Sequence, residues 1–335
     1  MMKRIGFCAA VLAVVLVLAL LPGCSSDKEA SKSGEHKIAV VVATSSVAWH
    51  QRNMNGVETY NKEHGTHYYC NGPTDPGEQA AYLEQLLAED WDAICVVPFD
   101  TEVVAPILSK ARKDGILVIT HEGCDLDPEC YDYDLEAFQS EDLGRHYAEY
   151  LVEKTGGKGT YVQFVANLNL ATHRIWCDAA DEYIAANSDM VKLGRYETSD
   201  DITRSYAQTK ELLQAHPEIV AIQGSASTDV AGISRAVEEL GLSGKVAIVG
   251  TSICSVSGEY LKSGTLETFS LWDSGFLGQA MIMLAEKALS EGDAFDPNNL
   301  SLPLTGYEKL VLKDKIFYAN ARVDITKDNM DLYNY

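Results

Sequence analysis

The chain is 335 residues long, 46% hydrophobic and 23% charged, with a formal net charge of −22. That length suits two domains, and the surplus of acids is the opposite of what a phosphate backbone recruits. Nucleic acid is therefore excluded as a partner, and the acidity is read as solubility.

Lys3 and Arg4 precede an apolar run over residues 9–21, and "LPGC" ends at Cys24. A basic start, a short apolar stretch and a small residue before a cleavage point make residues 1–23 a signal peptide. The run falls short of the roughly 20 apolar residues that a membrane span needs. Leu-x-Gly-Cys resembles a bacterial lipobox, in which the cysteine thiol takes a diacylglycerol chain. Pro22 departs from the Ala or Ser usual there. Cys24 is then the lipidation site, and residues 24–36, polar and rich in Ser and Lys, form a flexible tether. The mature protein is expected outside the cytoplasm, lipid-anchored to the membrane. Loss of the leader removes Lys3 and Arg4 and takes the charge from −22 to −24.

From residue 37 onward, short apolar runs alternate with helical patterns. "IAVVVA" (38–43) leads to a helix over 49–64, and "THYYC" (66–70) leads to "DPGEQAAYLEQLLAED". There Asp75 is placed to cap, Pro76 to open the helix and Glu78 to complete a capping box. "AICVVP" (93–98) leads to Asp100 and a helix ending near Lys113, with Pro106 expected to separate an entry turn from the helix proper. "ILVIT" (116–120) opens onto "HEGCDLDPEC". A second series follows: strands at 159–166, 191–197, 219–224, 245–250 and 266–272, each followed by a helix. Near-continuous apolar strands separated by helices indicate parallel sheets covered on both faces. Two such series exceed one sheet, so the fold class is α/β with two doubly wound lobes.

In open parallel sheets, ligands lie beyond the carboxyl ends of the strands. The relevant loops start at Ala43, Cys70, Pro98, Thr120, Ala166, Gly224, Gly250 and Trp272. No nucleophile elbow, phosphate loop, dinucleotide fingerprint or H-E-x-x-H motif occurs, so the chain is not read as an enzyme and no cofactor is expected. No C-x-x-C pair supports a zinc site, and "HEGCDLDPEC" lacks zinc or calcium spacing, so no metal is expected. Cys124 and Cys130 could be bridged or free.

"YYCNGPTDP" (68–76), "DAICVVP" (92–98), "FSLWDSGFLGQA" (269–280) and "ITKDNMDLYNY" (325–335) stand in this order behind the lipobox. In these pieces the chain resembles the type I solute-binding proteins of sugar ABC importers, in the ribose-type group, above all the autoinducer-2- and rhamnose-binding branch. The resemblance implies a three-segment hinge. Lobe one would hold 37–136 and 273–300, lobe two 137–272 and 301–325, with 326–335 as a tail. The lobes would close on a ligand and the loaded monomer would dock on a membrane ABC permease. An extracytoplasmic receptor feeding a membrane sensor is the alternative. A repressor sharing this two-lobed domain is discarded, because a signal peptide stands where its helix-turn-helix would be.

Glu122 falls where the resemblance implies a hydroxyl-binding Asp, with His121 beside it. Trp272 offers an indole face and an N–H donor to a sugar, and Asp273 follows it. Thr172 and His173 replace an Asp-Gln pair of the autoinducer-2 receptors, and Arg174 is adjacent. Ser225 and Ser227 stand where that branch has Pro and Ala contacts, and Ser45 and Trp49 follow the first strand. Asp229 is read either as a cap or as a cleft residue. These replacements do not reproduce the autoinducer-2 pocket. A small polyhydroxylated ligand, such as a monosaccharide, is expected instead.

Overall fold

A computed structural model describes residues 36–333. The expected signal peptide, the expected lipidation site Cys24, the expected tether up to residue 35 and the last two residues lie outside the described residues. The chain begins with β1 (Ile38–Val41), α1 (Ala48–His64), β2 (Tyr69–Asn71), α2 (Gln79–Leu86), β3 (Ala93–Val96), α3 (Thr101–Lys113), β4 (Leu117–Thr120) and β5 (Tyr133–Glu136). It continues through α4 (Ser140–Thr155), β6 (Thr160–Val165), α5 (Ala171–Asn187), β7 (Val191–Glu197), α6 (Ile202–Ala215), β8 (Ile219–Gly224), α7 (Asp229–Glu239), β9 (Ala247–Gly250), α8 (Cys254–Ser263) and β10 (Thr268–Leu271). It ends with α9 (Ser274–Glu291), β11 (Val311–Lys313), β12 (Ile316–Tyr318) and β13 (Val323–Thr326).

The first sheet has seven strands in the order β11-β12-β5-β4-β3-β1-β2, parallel except for the edge pair β11–β12. The second is β7-β6-β8-β9, wholly parallel. A parallel bridge from Thr251 to Ser270 extends it to the antiparallel pair β10–β13. These are the two doubly wound lobes expected from the apolar runs. Helices cover both faces: Ile38 and Val40 of β1 pack in one cluster with Leu277 and Met281 of α9. Ala39 and Val41 pack in another with Leu83 and Leu108. A strand buried on both sides loses the period-two pattern, which is why β1 reads as an unbroken apolar run.

Close helix contacts fix the layers. A Cβ on Gly56 of α1 would lie 2.2 Å from the carbonyl oxygen of Gly275 in α9. A Cβ on Gly144 of α4 would lie 2.1 Å from the carbonyl oxygen of Trp176 in α5. Only glycine permits either approach.

Three expectations change. Residues 301–325 do not all go with the second sheet: β12 pairs in parallel with β5 and carries β11 with it into the first. Only β13 returns, to pair with β10. These strands are three or four residues long and mostly half-exposed, so they left no apolar signature. β5 is also a strand, where none is expected from the sequence, and its carboxylates Asp134 and Glu136 are buried. Finally, α3 runs unbroken through Pro106. The amide that Pro106 lacks would have met Glu102 in the first turn, where both residues are exposed and water can satisfy the carbonyl.

Candidate ligand-binding site

The loops at the carboxyl ends of both sheets converge on one cavity. The first sheet contributes Ala43, the start of α1 with Trp49 and His50, the loop Val97–Phe99 and Glu122. The second contributes Ala166, Leu170, His173, Asp200, Ser225 to Ser227, Thr251 and Ser252, while Leu271 and Trp272 lie at the crossover between sheets.

Each wall is held from behind. The side chain of Gln79 donates to the Val97 carbonyl at 2.8 Å and accepts from the Phe99 amide at 2.9 Å, which fixes that loop. Glu122 sits in the left-handed region at φ 61°, uncommon for a residue with a long side chain. Its amide donates to Glu136 (3.1 Å), and the next amide, of Gly123, donates to Asp134 (3.2 Å), so the buried acids of β5 buttress the turn. Across the cleft, Asp200 is also left-handed, at φ 54°, and accepts from the Thr228 hydroxyl at 2.9 Å. Asp229 accepts from Thr198 (2.7 Å) and from the Ala226 amide (2.9 Å), tying the loop after β8 in place.

Aromatic rings close the base. Trp272 makes edge contacts with Trp49 (centroids 5.7 Å), Phe138 (5.0 Å) and Trp176 (5.9 Å). His121 stacks on Trp49 at 6.1 Å and donates Nδ1–H to the Leu135 carbonyl at 2.6 Å. With Nδ1 donating, Nε2 is the acceptor of the neutral ring. Burial pushes His50 and His173 down to about 3 and His121 to about 4, so all three rings are neutral. The 3.8 Å approach of His121 to Glu136 is therefore not an ion pair. Burial pushes the Glu122 carboxyl up to about 8, with Asp200 and Asp134 adding like charge. Burial also raises Asp200 to about 6, against hydrogen bonds from Thr228 and Ser227.

A family model describing a periplasmic binding protein domain matches residues 38–294. The chain belongs to the periplasmic binding protein family. It is a binding protein, not an enzyme, and the family acts outside the cytoplasm. Among the described residues no helix is long and apolar enough to cross a membrane. The binding protein is 26% identical over 288 residues to the D-ribose/D-allose-binding protein of Pseudomonas aeruginosa, covering 78% of this chain and 85% of that one. It is 24% identical over 335 residues to the xylitol-binding protein of Mycolicibacterium smegmatis, covering 98% of this chain and 87% of that one. Its fold matches that of LsrB from Clostridium saccharobutylicum in complex with AI-2, with a TM-score of 0.80 at 20% identity, over 89% of this chain and all 100% of that one. It matches equally an ABC transporter solute-binding protein from Clostridium phytofermentas with bound L-rhamnose, with a TM-score of 0.79 at 17% identity, over 90% and 99% of the two chains.

Of the residues singled out from the sequence, Trp49, Glu122, His173, Ser225, Ser227 and Trp272 line the binding protein's cavity. Ser45, His121, Thr172, Arg174, Asp273 and also Asp229, which ties the loop after β8, lie outside its lining. Ser45 donates to the Pro73 carbonyl at 3.2 Å and pins the loop after β1 to that after β2. His121 forms the layer behind Trp49 and Trp272. Thr172 is fully buried in the first turn of α5, and its hydroxyl has no partner among the described residues. Arg174 pairs at 2.9 Å with Asp125, linking elements of the two sheets beside the cleft. Asp273 caps α9 through the Gly275 amide (2.8 Å) and holds Arg52 through two contacts of 2.8 and 2.6 Å. The six described cysteines, Cys124 and Cys130 among them, are free thiols. Among the described residues no three potential metal ligands converge.

Asp200, Phe99, Thr251 and Ser252 also line the cavity, and sequence reasoning does not single them out. Asp200 is within reach of the strand-end rule. "VKLGRYE" reads as a strand, and the loop after it carries the same weight as the others.

Proposed function

We propose that the protein captures a small polyhydroxylated ligand, a monosaccharide or sugar alcohol, between its two lobes and delivers it to the membrane permease of an ABC importer. The single observation that carries this reading is the cavity's composition. Loops from both sheets supply indole and phenyl walls, carboxylates, neutral imidazoles and serine hydroxyls around one volume. Flat apolar rings meet the C–H faces of a sugar, and carboxylates accept its hydroxyl protons. Because both lobes contribute, the closed form binds ligand better than an open one, which is what drives closure. The ribose, allose and sugar-alcohol ligands named for its relatives support the same class. Glu122, Trp272, Trp49, His173, Ser225 and Ser227 are the proposed contacts, joined by Asp200. Cys24 is the proposed lipid site, which would hold a monomeric binding protein near its permease.

A thermal-shift screen of the soluble part, from about residue 33, against pentoses, hexoses, deoxysugars, sugar alcohols, nucleosides and autoinducer-2 tests this. A ligand at ~100 times its Kd stabilises the fold by about 2.7 kcal/mol. Absence of any shift across the sugars and polyols would refute the assignment.

A further inference from the structure

We propose that the cleft is built for a ligand carrying a protonated amine beside its hydroxyls, that is, an amino sugar or an aminated polyol. The inference rests on the reading of this cavity as the ligand site and sharpens it to a charge class.

The cavity has acid from both sides and no cation. Glu122 enters from the first sheet and Asp200 from the second, and they lie close enough for each charge to oppose the other. Among the residues lining the cavity there is no Lys or Arg. The imidazoles of His50 and His173 are held neutral by burial and offer no balancing charge. Arginines on the surrounding elements have partners elsewhere: Arg52 holds Asp273, Arg174 holds Asp125, and Arg204 holds Ser199. Glu122 is only 8% exposed, yet among the described residues no donor reaches its carboxylate. Burial without a donor makes it costly for this carboxyl to give up its proton until a cation pairs with the charge.

A neutral sugar can hydrogen-bond to these carboxyls but brings no counter-charge against which Glu122 could ionise beside Asp200. An ammonium brings three donors and a positive charge to the same place. Other unfilled groups call for hydroxyls as well. The indole N–H of Trp272 and Nδ1 of His50, on residues 4% and 7% exposed, have no partner among the described residues. The first is a donor and needs an acceptor, which a hydroxyl supplies. The walls of Trp49, Trp272 and Phe99 accept a cation as readily as a sugar face. The chain's net charge of −22 draws cations toward it.

Isothermal titration of the purified soluble protein with matched probes tests the proposal. The probes are glucose, galactose and mannose, the 2-amino-2-deoxy and N-acetylated forms of each, and choline and putrescine as cations without a sugar ring. At least one amine is expected to bind about tenfold or more tightly than both its neutral and its N-acetylated counterparts. Glu122→Gln, and independently Asp200→Asn should the first variant fail to fold, is expected to abolish that preference. A neutral sugar binding as tightly as its amine, or a preference that survives in both variants, overturns the proposal and leaves the sugar reading standing. Binding of choline or putrescine with no sugar bound supports the charge assignment and overturns the sugar reading. No binding by any probe overturns both.

Discussion

Replacing Glu122 with Gln should change how stability depends on pH, because the carboxyl titrates at different points in the folded and unfolded chains. Its ordinary value is 4.5, and burial next to Asp200 and Asp134 moves it up to about 8. Between those values the folded chain keeps a proton that the unfolded chain has released. Stability therefore falls as pH rises through this window. The three neutral histidines act in the opposite sense, binding protons in the unfolded chain below their ordinary 6.5 and so favouring the fold as pH rises toward it. Their contribution still rises over the first unit above pH 6.5, but it is the same in both chains and cancels in the comparison between them. Over pH 6.5 to 8 the Glu122 contribution to wild type falls by roughly 1.5 kcal/mol, and the amide of the Glu122→Gln variant has no such proton to lose. Urea denaturation of both chains at pH 6.5 and 8, followed by far-ultraviolet circular dichroism, measures it. Wild type should lose that much more than Glu122→Gln over the interval. Parallel pH profiles for the two chains would refute the reasoning, since they would mean that Glu122 ionises in the fold as freely as in water.

Other substitutions test other parts of the account. Trp272→Ala empties the ring contacts with Trp49, Phe138 and Trp176, and should cost about 3–5 kcal/mol in urea denaturation while abolishing ligand binding by calorimetry. Arg174→Ala breaks a pair whose side chains are 37% and 27% exposed, so stability should change by less than about 1 kcal/mol. Because that pair joins elements of the two sheets, ligand dissociation measured by stopped-flow fluorescence should quicken. Gly56→Ala drives a methyl to 2.2 Å from the Gly275 carbonyl oxygen and should destabilise by about 1–3 kcal/mol or more, read as a lower thermal midpoint.

The two lobes were legible in the sequence because their central strands are buried on both faces. β1, β3 and β8 read as unbroken apolar runs for that reason, and the glycines and capping residues between them mark the turns. The edges were not legible. β11 and β12 are short and half-exposed, so nothing in their pattern reveals that they join β5 rather than the second sheet. β5 itself was hidden because Asp134 and Glu136 look like solvent-facing acids. Their burial follows from a tertiary arrangement that brings the Thr120 hydroxyl and the Glu122 and Gly123 amides to them. The same limit governs the site. Trp49, Glu122 and Trp272 stand in loops that the strand-end rule marks, and the family resemblance adds to that rule for Glu122 and Trp272. Arg174 and Asp273 satisfy that rule too, but ion pairs with Asp125 and Arg52, distant in sequence, draw them out of the cavity.

The most direct test is a crystal structure of the protein grown with whichever sugar, sugar alcohol or amino sugar gives the largest thermal shift. The account predicts ordered ligand density inside the cavity between the two sheets, contacting Glu122 from one side, Asp200 from the other and Trp272 at the base. Ligand bound elsewhere on the surface, or a cavity holding only solvent at saturating ligand, would contradict it.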